Sequence, residues 1–356
     1  MSKGGIFTLV VFAGISTLWG VHSSKVMAHQ LSSTIAECDC SSKCFTAETS
    51  SHKCNRKTFS FKSHGLPNKK HVMMKSIKRS NQQFPFEHNY SFTFLRNPTL
   101  AKSSTATEPG AIGVAVNGVP IFNPETQGEI DPTTGRRPTA LEQGELDQCG
   151  GHAGRGDDYH YHISPKCLIK ELGRYKLEVK KQPIGFAADG FPILALGWFN
   201  KVNNIENRLD ACRGIKDAAG KYFYNVQSDG NYDVLNCFSG TRKSFAKDFW
   251  ERRLNKDGKA INGVPIKFSI SASYTKKINS DDCQFMVGKL SDRQVKHSSG
   301  VVSKVTNKKG TLFYCNQGCY GHFSIIKTRS GQKGRTIEYD LEKSNCPSQV
   351  KPKEFL

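Results

Sequence analysis

Between Cys149 and Cys167 the chain reads C-G-G-H-A-G-R-G-D-D-Y-H-Y-H-I-S-P-K-C, which puts three of its eleven histidines in one cysteine-bounded stretch. The centre is Tyr159-His160-Tyr161-His162, residue types that favour a short strand. Side chains on a strand alternate faces, so His160 and His162 share one face and the tyrosines take the other. His152 lies upstream across Ala153-Gly154-Arg155-Gly156, a segment that turns back easily. Three imidazoles can therefore meet at one point. Neutral imidazole suits zinc and copper alike, so His152, His160 and His162 are candidate metal ligands. Proton transfer by histidine and by Tyr159 or Tyr161 is a second chemistry open to the same residues. A disulfide-closed loop whose histidines only hydrogen-bond and stack is the third reading.

The elements that must position these residues come in two copies. Ile112-Gly-Val-Ala-Val-Asn-Gly-Val-Pro-Ile121 matches Ile184-Gly-Phe-Ala-Ala-Asp-Gly-Phe-Pro-Ile193 at an offset of about 72 residues. Leu146-Asp-Gln-Cys-Gly-Gly-His152 matches Leu209-Asp-Ala-Cys-Arg-Gly-Ile215, and Tyr159-His-Tyr-His162 matches Tyr222-Phe-Tyr-Asn225, both at about 63. Each unit is a strand, an N-G or D-G turn, a strand and a cysteine-bounded loop, with a type I′ hairpin expected at the turn. Between the copies all three histidines vanish together while Leu, Asp, Cys, Gly and both tyrosines persist. Joint loss fits three residues that serve one site. Asp189 replaces Asn117 at the second turn, where a carboxylate could be a fourth ligand, orient a ligating histidine or simply support the turn. Asp157 and Asp158 border the tetrapeptide and could orient it too. Cys149 is expected to pair with Cys167, and Cys212 with Cys237; a bridge across such a loop restricts the unfolded chain by roughly 3 kcal/mol.

The residues G150-G-H, Y159-H-Y-H and I184-G-F-A-A-D-G-F-P-I193 resemble the YHYH-domain family of secreted proteins. S63-H-G-L-P-N68, N89-Y-S-F-T-F-L-R-N-P98 and I112-G-V-A-V-N-G-V-P-I121 extend the resemblance over about Ser63 to Gly240. It implies a fold unit and a compartment, not a reaction.

Composition sets the surrounding expectations. Thirty-two glycines, 14 prolines and 22 phenylalanines point to a mainly β chain, α+β at most, with two related β units forming one disulfide-stapled core. A lysine followed by the apolar run Ile6–Ile15 reads as an export signal over residues 1–28, too short to span a bilayer. With that signal, twelve cysteines read as disulfides, and the product is expected to be secreted with no transmembrane anchor. Residues 29–56, with Cys38, Cys40, Cys44 and Cys54, read as a small knot ahead of the main fold. Residues 57–240 form the YHYH-like domain, and 241–356 a basic cysteine-containing region. Asn89-Tyr-Ser91 is an N-glycosylation sequon.

The formal charge of +20 is uneven. Residues 29–110 carry 12 Lys/Arg against 5 Asp/Glu, 111–240 carry 14 against 16, and 241–356 carry 23 against 10. Basic flanks on a secreted chain point to an acidic polysaccharide, a membrane surface or another extracellular polyanion rather than a specific nucleic acid, the polysaccharide reading fitting a shell, skeleton or cuticle component. No Ser-His-Asp motif, phosphate loop, H-E-x-x-H or dinucleotide fingerprint is present. A helix over Phe245–Leu254 and a third turn echo at Ile261-Asn-Gly-Val-Pro-Ile266 complete the expectations.

Overall fold

A computed structural model describes residues 31–71, 73–82, 85, 88–126, 128–153, 158–226, 234–241, 266–278, 281–290, 293–296, 302–305, 310–315, 320–326 and 335–339. The export signal, the helix at 245–254, the turn echo at 261–265, Asp157 and the chain's last residues lie outside them.

The chain is mainly β. Strands β1 (Thr49–Cys54), β2 (Thr58–Ser63), β3 (Arg79–Gln82) and β4 (Tyr90–Leu95) come first, and β1, β2 and β4 form an antiparallel sheet. In β4 every other residue is buried, as its Tyr-Ser-Phe-Thr-Phe alternation predicts. Asn89, the sequon asparagine, is exposed just before it. Strand β5 (Leu100–Ala106) leads into the duplicated region.

The first unit holds β6 (Ala111–Ala115), β7 (Pro120–Phe122), β8 (Gly151–Ala153) and β9 (Tyr159–Tyr161). Helix α1 (Lys166–Arg174) and a π-helical turn (Tyr175–Val179) follow. The second unit holds β10 (Gly185–Ala187), β11 (Pro192–Leu194), β12 (Gly214–Lys216) and β13 (Tyr222–Asn225), and β14 (Cys237–Gly240) pairs with β5. The two units share one eight-stranded sheet in the order β12-β13-β11-β10-β6-β7-β9-β8. That order is palindromic under exchange of the units. At its centre Val114 faces Phe186 in an antiparallel pair, flanked by Gly113 opposite Ala187 and Ala115 opposite Gly185. The parallel pairs recur on both sides, β7 with β9 and β11 with β13. The duplication is thus a pseudo-two-fold axis through the middle of one sheet. Gly113 and Gly185 permit the close central approach: a Cβ on either would lie 2.6 Å from a carbonyl oxygen of the opposite strand.

The turns correct one expectation. Ala115 N donates to the Val119 carbonyl and Gly118 N to the Ala115 carbonyl, and of Val116, Asn117 and Gly118 only the glycine has a positive φ, +75°. This is a type I turn closed by a left-handed glycine, not type I′, which needs two positive φ angles. Ala187, Phe191 and Gly190 repeat the pattern.

The tyrosine face of the sheet packs on β2 and β4, burying Phe59, Phe61, Phe92, Phe94 and Phe186 with Tyr159, Tyr161, Tyr222 and Tyr224. The opposite face of the second unit holds Leu194, Ile215 and Phe223, covered by Leu31 and Ile35. From residue 31 the Cys-rich N-terminal segment is docked on the main fold. Leu31 N donates to the Lys216 carbonyl, Ile35 N to the Asp217 carboxylate, and β1 pairs with β2. Disulfides join Cys38 to Cys44 and Cys40 to Cys54 within it. Further along, β15 (Ile266–Ile278) and β16 (Asp281–Leu290) join β3 and three later strands in a six-stranded sheet.

Candidate metal centre

The site is built on the first unit's edge hairpin. His152 on β8 lies opposite His160 on β9, because Gly151 pairs with Tyr161 and Ala153 with Tyr159. His162, just past β9, is tied in by its N–H to the Gly150 carbonyl. The disulfide Cys149–Cys167 ties the base of this hairpin to helix α1; in the second unit Cys212, the counterpart of Cys149, is bridged instead to Cys237 on β14.

Asp147 locks the loop from inside. Its Oδ1 accepts from Cys149 N at 2.8 Å and Gly151 N at 3.2 Å, and its Oδ2 accepts from Met74 N at 2.9 Å and Tyr159 Oη at 2.7 Å. Burial outweighs these bonds and pushes its carboxyl up to about 6. In the second unit Asp210 receives three of these four bonds, from Cys212 N, Gly214 N and Tyr222 Oη.

All three histidines are buried, and their ligand-capable nitrogens lie within 4.8 Å of one another. His162 Nε2 is 3.1 Å from His160 Nε2 and 3.0 Å from His152 Nε2. The other ring nitrogens decide what these contacts are. His160 Nδ1 donates to the Asp158 carbonyl at 2.9 Å, and His162 Nδ1 to the Asn123 carbonyl at 2.6 Å. A carbonyl only accepts, so each of these rings holds a proton on Nδ1, and when neutral its Nε2 is a bare lone pair. Two bare lone pairs face each other at hydrogen-bonding distance. Something positive between them, a proton or a metal ion, is needed to make that contact favourable. Burial, with His160 adding to it, drives His162 down to about 3, and burial holds His152 well below the ordinary range. Both rings are therefore neutral at physiological pH, the state that ligates metal.

The donor set fits a transition-metal ion. At Zn–N bonds of 2.0–2.1 Å, nitrogens in a tetrahedral shell are separated by roughly 3.3 Å, close to the spacing of His162 Nε2 from each of the other two Nε2 atoms. Carbonyl acceptors on Nδ1 are what ligating histidines ordinarily have behind them. His152 Nδ1 is buried without a hydrogen-bond partner, with Glu145 Oε2 at 4.0 Å. Asp158 Oδ2 stands 3.6 Å from His160 Nδ1. Phe122 stacks on His160 with ring centroids 3.9 Å apart, fixing the ring plane.

Three expected participants, Asp189, Tyr159 and Tyr161, are elsewhere. Asp189 is no part of the histidine group: its Oδ2 accepts from Tyr224 Oη at 2.6 Å and Gly240 N at 2.9 Å, so the carboxylate serves the second unit's turn. The tyrosines sit across the strand from the imidazoles, as alternation requires. Tyr159 bonds Asp147, and Tyr161 Oη accepts from Asn117 Nδ2 at 3.0 Å, with burial raising its hydroxyl out of the titrating range. Neither is placed to hand a proton to the histidine site.

Glu145 and Phe122 are contributors that sequence reasoning missed. A signal for Glu145 was present. At the 63-residue offset its counterpart is Arg208, so the carboxylate is lost in the same copy that loses the histidines. Phe122, at the 72-residue offset from Leu194, gave none beyond its apolar strand.

No curated protein and no solved structure matches the chain. Residues 91–214, which contain the whole first unit and the histidine site, match the family model described as YHYH protein, and the chain carries a YHYH-family domain there.

Proposed function

We propose that the first unit binds one transition-metal ion, zinc or copper, through Nε2 of His152, His160 and His162. The carrying observation is the pair of Nε2 atoms facing each other at 3.1 Å, each on a ring whose Nδ1 already faces a carbonyl oxygen. Among the described residues no fourth protein ligand joins the three histidines. A metal held by three imidazoles keeps a position for water or another small ligand, where it would act as a Lewis acid. The residues' own part is to hold three neutral rings in place. The Asp158 and Asn123 carbonyls set the tautomers, Glu145 backs His152, and Phe122 fixes the plane of His160. Elemental analysis of protein purified without added metal tests this directly: one equivalent of zinc or copper per chain supports it, and none after zinc and copper reconstitution overturns it.

The protein carrying this site is read as exported and glycosylated at Asn89. The disulfides Cys38–Cys44, Cys40–Cys54, Cys149–Cys167 and Cys212–Cys237 and an exposed Asn89 support that compartment, and no described helix is long and apolar enough to cross a membrane. A second reading, a non-catalytic matrix component that holds acidic polysaccharide, rests on the charge of the basic flanks, residues 29–110 and 241–356. Retention on heparin that persists without the three histidines would favour it.

A further inference from the structure

Exposed apolar side chains cluster away from the histidine site. Helix α1 buries Leu168, Ile169 and Leu172, and the π-helical turn buries Leu177, so the inner face is satisfied. The turn presents a second apolar pair outward, Tyr175 at 62% exposed and Val179 at 58%. A π turn brings residues four apart close to the same azimuth, so these two stand side by side. Glu178 Oε1 accepts from Phe199 N at 2.9 Å and Asn200 N at 3.0 Å, which fixes the 199–202 segment against this turn. That segment adds Phe199 at 39% exposed and Val202 at 89%, at the tip of a short 3-10 turn whose Val202 N–H is capped by the Asn200 side chain. Tyr175, Val179, Phe199 and Val202 make up four of the seven large apolar residues exposed among those described.

Cations surround them. Residues 166–181 hold six Lys/Arg against two Asp/Glu, and both acids are engaged: Glu171 with His71 and Asn68, Glu178 with the 199–200 backbone and Arg174. Arg174, Lys176, Lys180 and Lys201 are exposed.

We propose that the Tyr175–Val179 turn and the 199–202 segment form an interfacial patch that docks the protein on an anionic phospholipid surface. The combination selects this partner. A polyanion would use the lysines but leave two valines and a phenylalanine in water, and Lys180 Nζ already lies 5.5 Å from the Tyr175 ring centroid, over the face a sugar would stack on. A lipid interface takes both, with apolar tips among the acyl chains and ammonium groups at the headgroups.

Co-sedimentation with vesicles of phosphatidylcholine, with and without phosphatidylserine, tests it. The protein is expected to bind only the mixed vesicles. Val179→Asp with Val202→Asp should weaken binding about tenfold or more, and each of Lys176→Glu, Lys180→Glu and Lys201→Glu about fivefold. All five side chains are exposed, so the variants should melt with the parent. His152→Ala should bind vesicles unchanged, which separates this inference from the metal site. No binding to the mixed vesicles overturns the proposal. Binding that heparin abolishes and the valine variants leave intact also overturns it, making the patch a polyanion site.

Discussion

The two units of the central sheet are the molecule's own control experiment. They share strand order, pairing, turn, a bridged cysteine at the start of the loop and the Asp–Tyr bond that closes it. They differ on one face. The first unit presents His152, His160 and His162 with Glu145 and Phe122, and the second presents Ile215, Phe223 and Asn225 with Arg208 and Leu194. In the second unit Ile215, Phe223 and Leu194 join an apolar cluster capped by Leu31 and Ile35, and Asn225 spends its amide on Leu196, accepting from its N–H at 2.8 Å and donating to its carbonyl at 3.1 Å. The scaffold thus stands without imidazoles. In the first unit they are an addition that the shared scaffold does not require.

The comparison breaks most visibly at the shared aspartates. Asp147 is buried and accepts four hydrogen bonds, whereas Asp210 is exposed and accepts three. Asp147→Ala leaves buried donors unmatched and should cost about 3 kcal/mol or more; Asp210→Ala lets water replace the carboxylate and should cost about 1 kcal/mol. Urea unfolding of the two variants checks the ranking, and equal losses would contradict it.

The same burial gives a pH signature. Asp147 ionises near 3.8 when unfolded and at about 6 when folded. The folded state therefore holds its proton over that window, and the contribution is fully present below about pH 4 and lost as pH rises through 6. The shift corresponds to about 3 kcal/mol. Stability profiles of the parent and Asp147→Asn should converge in shape outside pH 4–6 and differ in slope inside it. Parallel profiles would contradict the burial argument.

A smaller effect sharpens the reading of the site. Glu145→Gln removes the carboxylate behind His152 without touching a ligand, and should lower metal affinity by about 10- to 100-fold with little change in unfolding free energy. Metal competition against a chromophoric chelator measures it; unchanged affinity would reduce Glu145 to a bystander.

Much of this was legible in the chain itself. The paired motifs at fixed offsets announced two units, and strand alternation separated the histidines from the tyrosines. The central β6–β10 pairing was not legible, because it joins residues about 70 apart and leaves no local periodicity. Asp189 misled for a related reason. Its partner Tyr224 comes from the neighbouring parallel strand, and a tyrosine hydroxyl bonds Asp189 as readily as it bonds Asn117 at the matching turn. The docking of the N-terminal Cys-rich segment was not legible either: its cysteines pair locally, and the few apolar residues that dock it, Leu31 and Ile35, form no pattern of their own.

The most direct test installs the second unit's residues in the first: His152→Ile, His160→Phe and His162→Asn together, with metal content measured beside the parent. The account predicts one equivalent of zinc or copper in the parent, none in the variant, and a folded variant with both loop disulfides intact. A metal-free parent, or a variant that keeps its metal, would contradict it.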